Sequence, residues 1–393
     1  MANSTESGSI APCRHFGLCG GCSYQDVPYP AQLAAKESRC RELLAPFLQG
    51  ISCAPIVGSP SPFYYRNKME FTFGFTGEGL PVLGLHCRDN PRNVFPLEEC
   101  PIFSRRLERI LPAVSDFVAG LDREPYRIRG HTGFWRNLVV RETKFTGQVL
   151  VNLVTVSAPE LDVAPLVRVL EAALPGEGLS VIHTLSDSPS NAVIPDKVIR
   201  LLGPGELEEE IDGRTFHIPP FSFFQVNPSA IRLFYRCLGE IPALSGHEEV
   251  LDLYCGTGPL GVVLAGMAGG VTGIELDPAA VATARINCRL NGVSNADYVV
   301  GDARKVLLEH RQHWRGRFGL VAVNPPRSGL SKKVIKRILE LEPGVILYSS
   351  CNPNTFAPQA ELLLESYRLE YVRPFDFFPH TPHLELLAVF ARR

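Results

Sequence analysis

The sequence has no apolar run long enough to cross a membrane. The nearest, Val262 to Ile274, is short and broken by glycine, against the roughly 18–20 residues a span needs. The opening residues, Met1 to Ile10, lack the charged-then-apolar pattern of a signal peptide. No charge sign dominates. The chain has 39 Lys and Arg against 41 Asp and Glu, a net charge of −2, which excludes a generically basic, histone-like nucleic-acid binder but not a local basic surface. No internal repeat recurs at a fixed period. The 11 cysteines are odd in number in a chain of 393 residues, which argues against a disulfide scaffold. These absences predict a reduced, cytoplasmic protein without a membrane partner, whose cysteines serve as buried hydrophobes, metal ligands or catalysts.

The 393 residues are enough for two or three domains with real cores. Hydrophobic residues make up 45% and charged residues 20%, the balance of a folded globular chain, and 34 Gly with 33 Pro predict many turns. A Cys-rich head over 1–35 precedes a central α/β region over 36–220. Ala31 to Leu48 reads as a helix, Tyr64 to Phe75 and Leu138 to Val156 as strands, and Leu161 to Leu174 as an amphipathic helix. Glu206 to Asp212 reads as a solvated acidic turn beside a hairpin. From Glu249 onward strand and helix signals alternate. Strands are expected at 250–253, 271–274, 298–300, 320–323, 345–348 and 384–390, which implies a parallel, doubly wound, Rossmann-like sheet over 221–393.

The first of these strands runs into Asp252-Leu-Tyr-Cys-Gly-Thr-Gly-Pro-Leu-Gly261, with Gly256, Gly258 and Gly261 spaced as Gly-x-Gly-x-x-Gly. Such a loop lets backbone approach a ligand closely, and Glu275, ending the next strand, stands where an acid binds ribose hydroxyls. The pattern fits a dinucleotide or S-adenosylmethionine (SAM). Asn324-Pro-Pro-Arg-Ser-Gly329 follows the fourth strand and resembles the substrate-facing turn of nucleobase and amino methyltransferases, which favours SAM. Asp302 ends the third strand, where such enzymes hold the adenine.

Two further residues suit one chemistry. Cys351, in Ser350-Cys-Asn-Pro353, ends the fifth strand, and Glu385, after Phe378-Pro-His-Thr-Pro-His-Leu, opens the last. Carbon 5 of uracil is a poor nucleophile. A thiolate adding to carbon 6 makes carbon 5 the nucleophilic end of an enolate, able to take a methyl group. A base then removes the carbon-5 proton and the thiol leaves. Cysteine suits the first role and a carboxylate the second.

Near the N-terminus, Cys13, Cys19 and Cys22 fall within ten residues, and Cys100 precedes Pro101. By spacing alone an iron–sulfur cluster and a zinc ion are equally matched. Cys40, Cys53 and Cys87 are spare candidates.

These features together, with Phe223-Phe-Gln-Val-Asn227, resemble the RNA (uracil-5-)-methyltransferase family over nearly the whole chain. The resemblance implies a SAM-dependent enzyme forming 5-methyluridine in 23S rRNA or tRNA. It implies Cys351 as nucleophile and Glu385 as proton-abstracting base. Gln225, Tyr254, Glu275 and the residue at 324 would line the SAM and uracil pocket, and Cys13, Cys19, Cys22 and Cys100 would hold a [4Fe–4S] cluster rather than zinc. The family usually has Asp where this chain has Asn324; a neutral amide can accept from the uracil imide and donate to the adjacent carbonyl. The family commonly carries an RNA-binding β-barrel ahead of the Cys head. The head here begins at Cys13, so a short form without the barrel, acting as a monomer, is expected. The runners-up are an RNA cytosine-5-methyltransferase, against which the absence of a second catalytic Cys argues, an NAD-dependent hydride-transfer enzyme, and a non-catalytic iron–sulfur RNA-binding protein.

Three segments are candidates for RNA contact. Tyr64-Tyr-Arg-Asn-Lys68 interleaves aromatics and cations. Residues 123–144 hold Arg123, Arg127, Arg129, Arg136, Arg141 and Lys144 against Glu124 and Glu142, and Arg327, Lys332, Lys333, Lys336 and Arg337 follow the Asn-Pro-Pro turn. The target uridine must be unstacked to meet Cys351.

Overall fold

The structure, a computed structural model, describes residues 12–48, 50–158, 162–190 and 192–393. The opening segment read for a signal peptide lies outside the described residues, as does Leu161, the expected start of an amphipathic helix. The chain divides into two compact units, one of 12–28, Ser61–Glu209 and Ile218–Pro220, the other of Tyr29–Pro60, Glu210–His217 and Phe221–Arg393. No described helix is long and apolar enough to cross a membrane.

Helix α1 (Tyr29–Leu44) comes first in the chain and belongs to the second unit. The first unit is built on β1 (Lys68–Phe75), β2 (Pro81–His86), β3 (Val94–Pro96), β4 (Trp135–Glu142), β5 (Gln148–Thr155), β6 (Gly178–Leu185) and β7 (Lys197–Leu202). They form one mixed sheet in the order β3-β2-β1-β4-β5-β6-β7. Its one parallel pair, β5 with β6, is joined through α3 (Leu166–Ala173), as a parallel pair requires a crossover. Helix α2 (Leu107–Ala119) turns Leu107, Ile110, Leu111, Val114 and Val118 inward, and the core continues through Phe71, Leu138, Val151 and Leu170.

The acidic run forms a strand, not a solvated turn. β8 (Leu207–Ile211) pairs with β9 (Arg214–Ile218) and alternates, with Leu207, Glu209 and Ile211 buried and Glu208 and Glu210 exposed. Buried Glu209 is satisfied because its carboxylate accepts from the Lys144 and Phe145 backbone N–H groups at 2.6 and 3.0 Å.

In the second unit α4 (Pro228–Glu240) leads into β10 (His247–Leu253), α5 (Pro259–Ala265), β11 (Ala268–Glu275), α6 (Pro278–Leu290) and β12 (Ala296–Val300). Then come α7 (Ala303–Trp314), β13 (Leu320–Val323), α8 (Lys332–Leu341), β14 (Val345–Ser350), α9 (Pro353–Leu363), β15 (Tyr367–Phe375) and β16 (Glu385–Arg392). The sheet order is β12-β11-β10-β13-β14-β16-β15. β10 to β14 are mutually parallel, as the alternation of strand and helix requires. The sheet is nonetheless mixed, because β16 inserts antiparallel between β14 and β15. Strand β15 is absent from the sequence reading; charged residues interrupt its apolar ones, so it resembles neither a buried strand nor a helix. β13 is buried throughout and β14 likewise, and their side chains join Leu251, Leu253, Ile335, Phe356 and Phe390 in one core.

Candidate active site

Five parallel strands end at one edge of the second sheet, and side chains from the turns there cap the helices that follow. Asp277 caps α6, accepting from the Ala279 N–H at 2.9 Å. Asp302 caps α7, accepting from Lys305 at 3.0 Å, and Asn352 caps α9, accepting from Asn354 at 3.2 Å. The turns are thereby held in place without occupying the space above the sheet.

The glycine loop follows β10. Gly256 and Gly258 have φ of +56° and +80°, a region that glycine enters without penalty. A Cβ on Gly256 would meet nothing within 4 Å, whereas on Gly258 it would press on Ala284 at 2.8 Å and the Tyr298 hydroxyl at 2.9 Å. The first glycine therefore leaves open space and the second permits close packing. Glu275 ties the loop to the next strand, its carboxylate accepting from the N–H groups of Gly256 (3.1 Å), Leu276 (2.7 Å) and Asp277 (3.1 Å). A carboxylate has about four acceptor sites, so one is left for a ligand hydroxyl. Tyr254 sits at φ +62°, strained for a non-glycine residue, and its hydroxyl's pKa is raised by burial, then by the nearby charges of Asp302 and Glu275. Beneath the loop Asp252 is fully buried with neither carboxylate oxygen hydrogen-bonded. Burial first, and Glu275 second, push its pKa up to about 8. Open space over Gly256 and a free acceptor on Glu275 are what the ribose of a nucleoside such as SAM would complete.

Asn324 follows β13, half-buried, with its N–H on the Leu253 carbonyl at 3.4 Å. Gln225 lies on the segment entering α4, two residues ahead of Asn227. The Asn227 amide donates to Ser59 Oγ and to the Phe377 carbonyl, each at 3.1 Å. That contact brings the Gln225 segment to the turn that precedes Glu385.

Cys351 and Glu385 meet through strand direction. β16 runs against β14, with Ser349 paired to Leu387 and Ser350 to Leu386, so the start of β16 lies at the end of β14. Ser349 Oγ donates to Glu385 Oε1 at 2.6 Å. Glu385 is 3% exposed, and burial pushes its pKa up to about 7 against the opposing pull of Ser349. The Cys351 thiol is raised by burial first and by Glu385 second, while the nearby positive charge of Arg327 pulls the other way and favours the thiolate. Arg327 Nη2 also lies 3.1 Å from the ring nitrogens of His383. Ser349, Arg327 and His383 were not among the expected site residues. Ser349 could have been found from the two-residue period that puts it on the same face as Cys351; Arg327 was expected to contact RNA.

Cys13, Cys19, Cys22 and Cys100 all lie in the first unit and are free thiols. Cys22 and Cys100 pack with Tyr65, Ile102 and Phe16, and Gln25 Nε2 donates to Cys22 Sγ at 3.1 Å. Burial chiefly pushes the Cys22 thiol up to about 11 and the Cys100 thiol up to about 12, and each of the two also feels Cys13 and Cys19. Among the described residues no three His, Cys, Asp or Glu side chains are placed to hold a metal ion, so the arrangement does not separate the iron–sulfur expectation from the zinc alternative. Of the spare cysteines, Cys87 bridges Cys19 through the backbone. Cys40 and Cys53 belong to the other unit and are buried there, with Cys53 Sγ on the Ala54 carbonyl.

The expected basic segments fare unequally. Arg136 and Arg141 are each 4% exposed. The Arg136 guanidinium is spent on carbonyls of Ser186 and Ser188, and Lys144 pairs with Glu142, so residues 123–144 do not form a continuous basic face. In the Tyr64 segment Tyr65 and Asn67 are buried; Tyr64 stays partly exposed, with the Arg105 guanidinium 5.1 Å from its ring centre. On α8, by contrast, Lys332, Lys333 and Lys336 are exposed while Val334, Ile335, Ile338 and Leu341 face inward.

Residues 222–393 match the family model described as tRNA (Uracil-5-)-methyltransferase. A protein described as an uncharacterized RNA methyltransferase of Clostridium tetani is 36% identical over 98% of this chain and 84% of its own length. One from Caldanaerobacter subterraneus subsp. tengcongensis is 38% identical over 96% and 84%. Among solved structures, the Pyrococcus abyssi tRNA (uracil-54, C5)-methyltransferase in complex with S-adenosyl-L-homocysteine superimposes with a TM-score of 0.78 at 31% identity, over 95% of this chain and 86% of that one.

Proposed function

The chain belongs to the RNA (uracil-5-)-methyltransferase family, a family of SAM-dependent enzymes, and from that premise we propose that it methylates carbon 5 of one uridine in RNA through a covalent Cys351–uracil adduct. The observation that carries this reading is the meeting of Cys351 and Glu385 where β14 ends and β16 begins, with Ser349 hydrogen-bonded to the carboxylate and the Arg327 charge favouring the thiolate. SAM supplies an electrophilic methyl group. Gly256, Gly258, Tyr254, Glu275 and Asp302 hold it by the glycine loop and the ends of β11 and β12.

Arg327 stabilises the Cys351 thiolate, which adds to carbon 6 of an unstacked uracil. Asn324 and Gln225 orient the base. The Asn324 amide accepts from the imide N–H and donates to the neighbouring carbonyl, a pattern that needs no charge. After methyl transfer, Glu385 removes the proton from carbon 5 and the Cys351 sulfur is released. A base whose pKa lies near the working pH is well matched to that step.

The four head cysteines, Cys13, Cys19, Cys22 and Cys100, hold a [4Fe–4S] cluster in this reading. An apolar surround and an amide N–H on Cys22 suit such a group. The cluster organises the fold and RNA docking of the first unit. The protein works in the cytoplasm as a monomer. Similarity to the Pyrococcus abyssi enzyme, named for a tRNA uridine, supports tRNA over 23S rRNA as the substrate.

Mass spectrometry of tRNA and rRNA from a strain lacking the gene tests the reading. Loss of 5-methyluridine from one of them names the substrate, and an unchanged methyl content in both overturns the proposal. Asn324→Asp should keep most uridine methylation in a SAM-transfer assay.

A further inference from the structure

Helix α1 and the turn before Glu385 are 348 positions apart where they join. Gln32 Nε2 lies 3.1 Å from His380 Nδ1, and Gln32 Oε1 accepts from the His380 N–H at 2.9 Å. His380 is buried at φ +65°, a conformation that costs a non-glycine residue about 1–2 kcal/mol and needs outside support. One turn further along α1, Lys36 is 5% exposed. Its ammonium donates to Asp376 Oδ1 at 2.7 Å and to the Phe378 carbonyl at 3.1 Å.

From that carbonyl a series of contacts reaches Arg327, whose charge acts on the thiol. Thr381 Oγ1 donates to the Phe378 carbonyl at 2.8 Å, and the His383 N–H donates to Thr381 Oγ1 at 3.2 Å. The His383 ring lies 3.1 Å from Arg327 Nη2, and the Arg327 charge lowers the cost of the Cys351 thiolate. His383 is held toward its neutral, accepting form by burial first, then by Arg327, Lys36 and Arg39. Two buried polar side chains on a helix that carries no residue expected to touch SAM or uracil thus converge on the turn linking β15 to β16.

We propose that Gln32 and Lys36 are positioning residues for methyl transfer, holding the turn 376–383 so that His383 sets Arg327 on the Cys351 thiol. This rests on the reading of Cys351 as nucleophile. Placement of this kind matters because a displacement of about 1 Å can cost about a hundredfold in rate.

The test compares the full-length protein with Lys36→Met/Asp376→Leu, which removes both charges of the buried pair together, and with Gln32→Leu. Each is measured for unfolding midpoint, for kcat and KM toward SAM with an unmodified uridine RNA, and for alkylation of Cys351 by iodoacetamide at one pH, read by peptide mass spectrometry. We expect, in any variant that folds, kcat lowered about tenfold or more with the SAM KM within about twofold, and alkylation of Cys351 slowed about threefold or more. A merely structural role would leave alkylation unchanged in folded protein. A folded variant with wild-type kcat and alkylation overturns the proposal, and if the double variant does not fold, Gln32→Leu decides on the same criteria. Cys351→Ala run alongside separates the two readings. If it stays active, the nucleophile assignment fails; if it is inactive while the α1 variants behave as wild type, only the positioning role fails.

Discussion

At Glu385 burial and the proposed role as base meet in one side chain. Its pKa of about 7 in the folded protein stands above the ordinary carboxylate value of about 4.3. Between those values an unfolded chain has released a proton that the folded chain still binds. Its contribution to stability is therefore complete below about pH 4 and is lost as pH rises through about 7. Glu385→Gln should raise the thermal midpoint at pH 8, by an amount equivalent to about 1–3 kcal/mol, and leave it unchanged at pH 4. The same variant should abolish turnover and accumulate a covalent protein–RNA adduct, visible as a band shift on denaturing gels, because the carbon-5 proton is no longer removed. In the wild-type enzyme the rate of adduct release should climb as pH passes about 7. Arg327→Gln should act earlier, slowing adduct formation and shifting its dependence on the Cys351 thiolate to higher pH. Cys351 and Glu385 were legible in the sequence because a Cys at a strand end and an acid opening a buried strand are both unusual. Lys36 was not. A lysine within a helix reads as solvated, and only folding reveals that Asp376 lies beside it. Lys36→Met alone would leave that carboxylate buried and unpaired, and should cost about 3–5 kcal/mol in a denaturant titration.

Among the elements, α8 is the one on which charge patterning reports surface directly. Its inward positions are Val334, Ile335, Ile338 and Leu341, so the helical period forces Lys332, Lys333 and Lys336 outward beside the Asn-Pro-Pro turn. Replacing these three lysines by alanine should weaken RNA binding and reduce the slope of log affinity against log salt by about 2–3, with little change in SAM affinity. Residues 123–144 show why the same counting failed elsewhere. β4 is buried along its whole length, so Arg136 and Arg141 are drawn inside and their guanidinium groups go to backbone carbonyls. Strand β8 is a parallel case with acids, since Glu209 takes its place inside through two backbone N–H groups sixty-odd positions away. In both, the local charge pattern is real and a tertiary partner reverses its meaning.

For the whole molecule, the testable feature is the Cys head of the first unit. Cys19→Ala should lower bound iron and RNA affinity together, as followed by metal analysis and filter binding; unchanged RNA binding and stability in an iron-free variant would show that the head is dispensable. The sequence by itself determined the alternating strands and helices of the second unit, the glycine loop with its acid, and the identity of the residues proposed for chemistry. These depend on local periodicity, turn residues and chemical type. Only the tertiary structure decided that β16 runs antiparallel between β14 and β15, that Ser349 is hydrogen-bonded to Glu385 with Arg327 close enough to act on Cys351, and that α1 reaches the turn before Glu385. The physical reason is the same in each case. Strand direction, and the partner of a buried charge, are set by contacts between residues far apart in the chain, and neither the 3.6-residue nor the two-residue period carries information about them.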